Sequence, residues 1–172
     1  EFIQNSKREK ISFADYDFSK ISSVLEKNRT ELITEPEKTE VGNLLLAGAT
    51  GYLGIHILSD FLENDTGTAY CLVRGNNTDD SKKRLDELLE FYFDDKYLNN
   101  RRIEVICADL QKEKFGLSDD EYEKLGRSVS TVVNSAASVK HYGLYTYFYD
   151  TNVKTTKQLI EFCKKSDARL IH

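Results

Sequence analysis

The chain has no methionine and no tryptophan, and its 172 residues include a single proline, three cysteines and three histidines. Each scarcity excludes something. Cys71, Cys107 and Cys163 stand far apart in apolar surroundings, without a Cys-x-x-Cys pair or a histidine close by, which argues against a disulfide framework and against a metal centre. A reducing cytosol is the expected compartment. No apolar run approaches the roughly 20 residues that cross a bilayer, and the first residues lack a basic stretch followed by an apolar one. Basic surplus is missing as well. With 24 lysines and arginines mixed among 29 acids, the formal charge is -5, which offers no field for gripping nucleic acid or an anionic membrane. Any phosphate has to be held locally.

What is present suits one globular domain with a tail: 40% of the residues are hydrophobic, enough for one core and too few for two comfortable domains. The chain opens on Glu1 and stops at Arg169-Leu170-Ile171-His172, which reads as a strand interior, so a piece of a longer protein is expected. Residues 1–41 are charged and polar and contain Pro36. Within them Phe18, Ile21, Val24 and Leu25 share one helical face, so a linker with a short helix over Asp17–Lys27 is expected. Residues 42–172 are expected to form the folded domain, because strand and helix signals alternate from Asn43 onward.

Such alternation predicts an α/β fold, a doubly wound parallel sheet of Rossmann type. Asn43–Ala47 is a continuous apolar run of the kind a strand buried on both faces needs. A helix is expected from Tyr52 to about Glu63, with Leu53, Ile57, Leu58, Phe61 and Leu62 toward the sheet. Strand two is expected over 68–73, a helix over 81–93 carrying Leu85, Leu88, Leu89 and Tyr92, and strand three over 102–107. Strand four is placed at 130–133, a long helix at 151–165 with Leu159, Ile160 and Phe162 inward, and strand five from Ala168 to Ile171. The expected spatial order is 3-2-1-4-5, truncated after strand five, with right-handed crossovers.

Between the first strand and first helix lies Gly48-Ala49-Thr50-Gly51-Tyr52-Leu53-Gly54, with glycines at GxxGxxG spacing. Here a tight turn needs Gly48, close approach of a pyrophosphate needs Gly51, and helix–strand packing needs Gly54. Bare N–H groups at the helix start, backed by its dipole, then face the phosphates. Lys-Ser or Lys-Thr does not follow the last glycine, which excludes a triphosphate-binding loop of the Walker kind. The bland alternative is a glycine turn that only connects the two elements.

The end of strand two reads the adenosine ribose: an acid there suits the 2′-hydroxyl of NAD, an arginine the 2′-phosphate of NADP. That position holds Arg74, so NADP(H) is the expected cofactor. Arg84, early in the next helix, is either a second phosphate ligand or an ordinary surface charge, whereas Lys82 and Lys83 are expected in solvent. Asp109 is placed to accept from the adenine amino group or to cap the following segment, and Leu110 to cover the ring.

Taken in order, the glycine turn, Leu72-Val73-Arg74-Gly75, Ala108-Asp109-Leu110, Asn134 to Tyr142 and Thr151-Asn152-Val153 resemble the extended short-chain dehydrogenase/reductases. More narrowly, they are similar to the thioester reductase domains of nonribosomal peptide synthetases, carboxylic acid reductases and aminoadipate reductase, over about residues 43–172. The resemblance implies that Asn134, Ala136 and Ala137 line the nicotinamide-ribose side of the cofactor. It implies that Asn152 is the asparagine supporting the proton relay, against the alternative of a helix cap. It also implies an upstream carrier protein holding the substrate as a phosphopantetheine thioester. His141, in the family's turn after strand four, is read as a surface or packing residue.

The family pattern continues past strand five with a catalytic Ser or Thr and a Tyr-x-x-x-Lys pair. None of Tyr142, Tyr145, Tyr147 and Tyr149 has a lysine four residues on, so this chain is expected to lack the general acid and to be inactive alone. Two other readings stand beside a reductase that releases a carrier-bound chain as aldehyde or alcohol. One is another extended reductase or epimerase acting on a free small molecule; the other is a non-enzymatic NADP-binding sensor.

Overall fold

Apolar strands with no polar alternation need cover on both faces, and the computed structural model supplies it. It describes residues 40–172. The helix expected at Asp17–Lys27 lies outside the described residues. Five parallel strands, β1 (Leu44–Ala47), β2 (Ala69–Val73), β3 (Ile103–Cys107), β4 (Thr131–Asn134) and β5 (Arg169–Ile171), are ordered β3-β2-β1-β4-β5. This is the expected order, with Leu46 of β1 opposite both Cys71 of β2 and Val133 of β4. The helices are α1 (Tyr52–Asn64), α2 (Thr78–Phe93), α3 (Asp119–Ser128), α4 (Tyr145–Phe148) and α5 (Thr155–Ser166). A π-helical stretch, Tyr149–Lys154, joins α4 to α5 without a break, and a short 3₁₀ turn, Glu113–Gly116, precedes α3. No helix among the described residues is long and apolar enough to cross a membrane.

One core was expected; the sheet divides it into two. Leu44 and Leu46 point to the side where Ile55, Leu58 and Phe61 of α1 and Leu85 and Leu89 of α2 close over them. Leu45 and Ala47, with the opposite pleat, meet Leu125 of α3, Leu159 and Phe162 of α5, and Phe115. Alternation along a strand covered on both sides makes this division unavoidable.

Two inward assignments are corrected. Leu53 is 60% exposed and Ile160 is 38% exposed. On α1 the buried face runs through Ile55, Leu58 and Leu62, and on α5 through Thr155, Leu159, Phe162 and Cys163, spacings of three and four that leave Leu53 and Ile160 off the stripe.

Helix ends are fixed by identifiable contacts. Asn77 caps α2 by accepting from the Asp80 N–H at 2.8 Å, which starts that helix three residues before the expected Ser81. α3 was not anticipated, although Ser118 and Glu121 form a complete capping box at its start. The C-terminal carbonyls of α1 find a cation from outside the helix: Arg102 donates to Leu62 O at 3.0 Å, Phe61 O at 3.3 Å and, beyond the helix, Gly67 O at 3.0 Å.

Candidate functional site

The strand order reverses between β1 and β4, so the loops leaving their C-terminal ends diverge and open a crevice, the place where open α/β sheets bind ligands. A cavity of about 260 Å³ lies there. Gly48, Thr50 and Gly51 line it from the β1–α1 turn, Leu72 and Arg74 from β2, and Ala108, Asp109, Leu110 and Gln111 from β3. Ser135, Ala136 and Ala137 line it after β4, and Thr151 and Thr155 from the helical run. A roomier cavity of about 350 Å³ between α3 and α5 contains no residue from a strand end and mixes acids with bases, so it lacks the convergent donors of a phosphate site.

Gly48 turns the chain with φ +91°, a conformation side chains resist, and a Cβ there would fall 2.7 Å from the Ala136 nitrogen. A Cβ on Gly54 would fall 2.0 Å from the Gly48 carbonyl oxygen. These two glycines let α1 begin directly against β1 and β4. Gly51 is extended, at φ -91° and ψ 163°, and its N–H donates to Gly48 O at 2.9 Å. No side chain caps α1 and no acid stands in its first turn. The N–H groups of Tyr52, Leu53 and Gly54 therefore have no earlier turn to donate to, and they leave a positive helix end at the crevice. The side chains of Tyr52 and Leu53 are exposed and do not line it. A cradle that a Cβ would fill, ending on uncapped amides, fits a diphosphate.

At the β2 end, Arg74 lines the cavity and Arg84 is drawn to the same strand end, its Nη1 donating to Arg74 O at 3.4 Å. Lys82 and Lys83 instead reach Asp86 and Glu87 along the exposed side of α2. Asp109 lines the crevice, and its Oδ1 accepts from Gln111 N at 3.0 Å, the contact of a residue that caps the following segment. Leu110 also lines the crevice, and its carbonyl accepts from Gln158 Nε2 at 2.8 Å.

On the far side, Asn134 is nearly buried and does not line the cavity. Its Oδ1 accepts from Ala136 N at 3.0 Å, so it braces the Ala136–Ala137 segment that does. Asn152 likewise acts through its neighbour. It sits in the π-helical stretch, where its Oδ1 accepts from Ser138 N at 2.7 Å and its Nδ2 donates to Ser138 O at 3.0 Å. A widened helical turn thus presents one amide to both backbone groups of the loop leaving β4. His141 is exposed on that loop.

Gln111, Ser135, Thr151 and Thr155 line the crevice without having been singled out. Ser135 was readable as the neighbour of residues that were. Thr151 was likewise the neighbour of Asn152, and Gln111 of Leu110, but the contact between them, Gln111 Nε2 donating to Thr151 Oγ1 at 3.2 Å, was not readable, because it joins residues 40 apart. Tyr-x-x-x-Lys spacing does occur twice. Tyr16–Lys20 lies outside the described residues. Tyr92–Lys96 stands at the end of α2, where Lys96 binds the Glu63 carboxylate and stacks over Tyr97, not on the loop leaving β4. Among the cysteines, burial pushes the Cys71 thiol up to about 12, while Cys107 is only partly covered and donates to Gly75 O at 3.4 Å.

The chain resembles known proteins along this whole region. The NAD-binding family model described as male sterility protein matches residues 46–172. Nonribosomal peptide synthetase asaC of Aspergillus flavus is 29% identical over 163 residues, which is 94% of this chain and 16% of that protein. Carboxylic acid reductase of Mycobacterium marinum is 30% identical over 139 residues, 74% of this chain and 12% of that one. Among solved structures, a thiolation-reductase di-domain from an archaeal nonribosomal peptide synthetase is 34% identical with a TM-score of 0.68, covering 88% of this chain and 40% of that one. The chain thus spans well under half of each. With its cofactor crevice and its order of strands, it belongs to the NAD-binding male sterility protein family, among relatives that are reductase domains of nonribosomal peptide synthetases and carboxylic acid reductases.

Proposed function

We infer that residues 42–172 hold NADP(H) for a thioester reductase, and that residues 1–41 link this part to an upstream carrier protein. The carrying observation is the uncapped start of α1 behind Gly48 and Gly54, facing a crevice that has Arg74 at its adenosine end. In this reading the amides from Tyr52 to Gly54 hold the diphosphate, with Thr50 and Gly51 lining its path. Arg74 and Arg84 hold the 2′-phosphate, Asp109 and Leu110 the adenine, and Ala136 and Ala137 the nicotinamide ribose. Asn134 and Asn152 keep those contacts in place.

Bound NADPH supplies a hydride; the chain's task is to fix the geometry and exclude water. Hydride addition to a thioester carried on a phosphopantetheine arm gives a thiohemiacetal, which collapses to the aldehyde, and a second addition gives the alcohol. The relatives' names, a peptide synthetase and a carboxylic acid reductase, support that substrate class. Without a Tyr-x-x-x-Lys pair beside the crevice, this stretch alone is expected to bind cofactor and reduce nothing.

The test is parallel titration with NADPH and NADH. The expected result is tighter binding of NADPH, with an advantage that Arg74→Ala cuts by about tenfold or more, given the roughly 1.5–3 kcal/mol of a hydrogen bond to a charged group. Equal affinity for the two nucleotides would remove the 2′-phosphate assignment.

A further inference from the structure

The wall of the crevice after β3 is held from behind. Backbone contacts fix its start: Ala108 N donates to Val73 O at 3.0 Å and Asp109 N to Phe115 O at 2.8 Å. Leu110 comes next, half-buried, packing against the core beneath α3 and α5 while also lining the crevice. Its carbonyl accepts no backbone N–H among the described residues. The donor it has is Gln158 Nε2 at 2.8 Å, from α5 and 48 residues further along the chain. Gln158 itself does not line the crevice; it sits behind Leu110, half-buried, in a separate groove with Glu161 and Lys165 of α5. A second tie joins the same two segments, Gln111 Nε2 donating to Thr151 Oγ1 at 3.2 Å in an exposed position.

Resting on the NADP(H) reading above, we propose that Gln158 is a positioning residue for the adenine: by holding the Leu110 carbonyl against α5, it sets the angle at which the Leu110 side chain meets the base. A part-buried carbonyl that loses its donor turns toward water, and turning that peptide carries the leucine with it. A neutral amide suits the place, because it donates without setting a charge behind an apolar contact. The other grips have other supports. The glycine turn is fixed by Gly48 and Gly54 against β1 and β4, and Arg74 and Arg84 stand at the end of β2. Loss of the Gln158 donor therefore loosens the hold on the base and leaves the holds on the diphosphate and the 2′-phosphate as they were. Spacing alone could not reveal this, since only the packing of α5 against the loop after β3 brings the two residues together.

Two measurements test it. The first compares ligands on this chain. Gln158→Met keeps the length and the helix propensity, adds no charge and cannot donate. It is expected to weaken NADPH, NADH and adenosine 2′,5′-bisphosphate by one common factor, about three- to tenfold for a net hydrogen bond. Inorganic diphosphate, which reaches only the amides at the start of α1, should compete with NADPH at an unchanged dissociation constant. A general loosening of the domain would weaken diphosphate as well. Unchanged affinity for adenosine 2′,5′-bisphosphate, or an equal loss for diphosphate, overturns the proposal. Should Gln158→Met fail to fold, Gln158→Ala removes the same donor without adding bulk, and the same outcomes decide.

The second measurement is thioester-dependent NADPH oxidation by the full-length protein carrying these residues. Gln158→Met is expected to raise KM for NADPH by that same factor and to leave kcat at saturating nucleotide unchanged. A lower kcat at unchanged KM also overturns the proposal. The failures are distinguishable. If the parent never oxidises NADPH with a thioester, the reductase reading falls and the ligand comparison still decides the role of Gln158. If the parent binds none of the adenine ligands, the cofactor reading falls and takes this proposal with it.

Discussion

A Cβ on Gly54 would sit 2.0 Å from the backbone oxygen of Gly48, and a backbone atom cannot swing aside as a flexible side chain can. Gly54→Ala is therefore expected to push the first turn of α1 away from β1, at about 1–3 kcal/mol, the usual range for overpacking a filled site. Because the same turn aims the amides from Tyr52 to Gly54, nucleotide affinity should fall together with the urea midpoint. A variant with unchanged midpoint and unchanged affinity would mean that the close approach of α1 to β1 is not required. Gly51→Ala makes a milder comparison, since its Cβ would meet Gly48 O at 3.3 Å, a gap that a few tenths of an ångström would relieve. At this scale the role of Gly54 was legible, because the requirement is local: a strand, a turn and a helix within eleven residues. The roles of Asn134 and Asn152 were legible only as resemblance. Their partners, the Ala136 nitrogen and the Ser138 backbone, depend on how the chain bends after β4.

The elements show where local pattern stops informing. Strands and helices were found wherever apolar periodicity was strong, as in β1, α1 and α2. α3 was missed although Ser118, Glu121, Tyr122 and Leu125 spell a cap and one buried face, because Tyr122 and Leu125 are its only buried residues. The end of α1 was less legible still. That helix has no basic residue in its last turn, and its cation arrives from Arg102, next to β3 and 40 residues beyond Leu62. Arg102→Ala should leave the Leu62, Phe61 and Gly67 carbonyls without their charged donor. The expected loss is about 1–3 kcal/mol in urea unfolding, with little change in nucleotide affinity, because the contact lies at the opposite end of α1 from the glycine turn. Arg102→Lys should recover part of it, since one ammonium group cannot span carbonyls that a planar fork reaches together. An Arg102→Ala midpoint equal to the parent's would show that water satisfies those carbonyls equally well.

For the molecule as a whole, the crevice is assembled from every layer of the fold. Its lining comes from the ends of β1, β2, β3 and β4 and from the helical run through Thr151 and Thr155: the apolar lining, Leu72, Ala108, Leu110 and Ala136, belongs to the half packed by α3 and α5, while the glycine turn at its floor starts α1 of the other half. Among the described residues the central sheet divides the two halves, β1 carrying Leu44 and Leu46 to one side and Leu45 and Ala47 to the other. A ligand spanning the crevice ties the β1–β2–β3 side to the β4 loop and α5, adding to the β1–β4 pairing and to contacts such as Gln111 to Thr151 and Gln158 to the Leu110 carbonyl. Unfolding either half destroys the site, so binding should stabilise both at once. At a hundredfold excess over its dissociation constant, a ligand specific for the folded state adds about 2.7 kcal/mol, which corresponds to a rise in Tm of roughly 5–10 °C for a domain of this size. NADPH is expected to produce that rise in a single cooperative transition, NADH at the same concentration a smaller one, and Arg74→Ala should bring the two together. Differential scanning calorimetry reads all three. Two separate transitions, of which NADPH moves only one, would show that the halves unfold independently and that the crevice does not couple them.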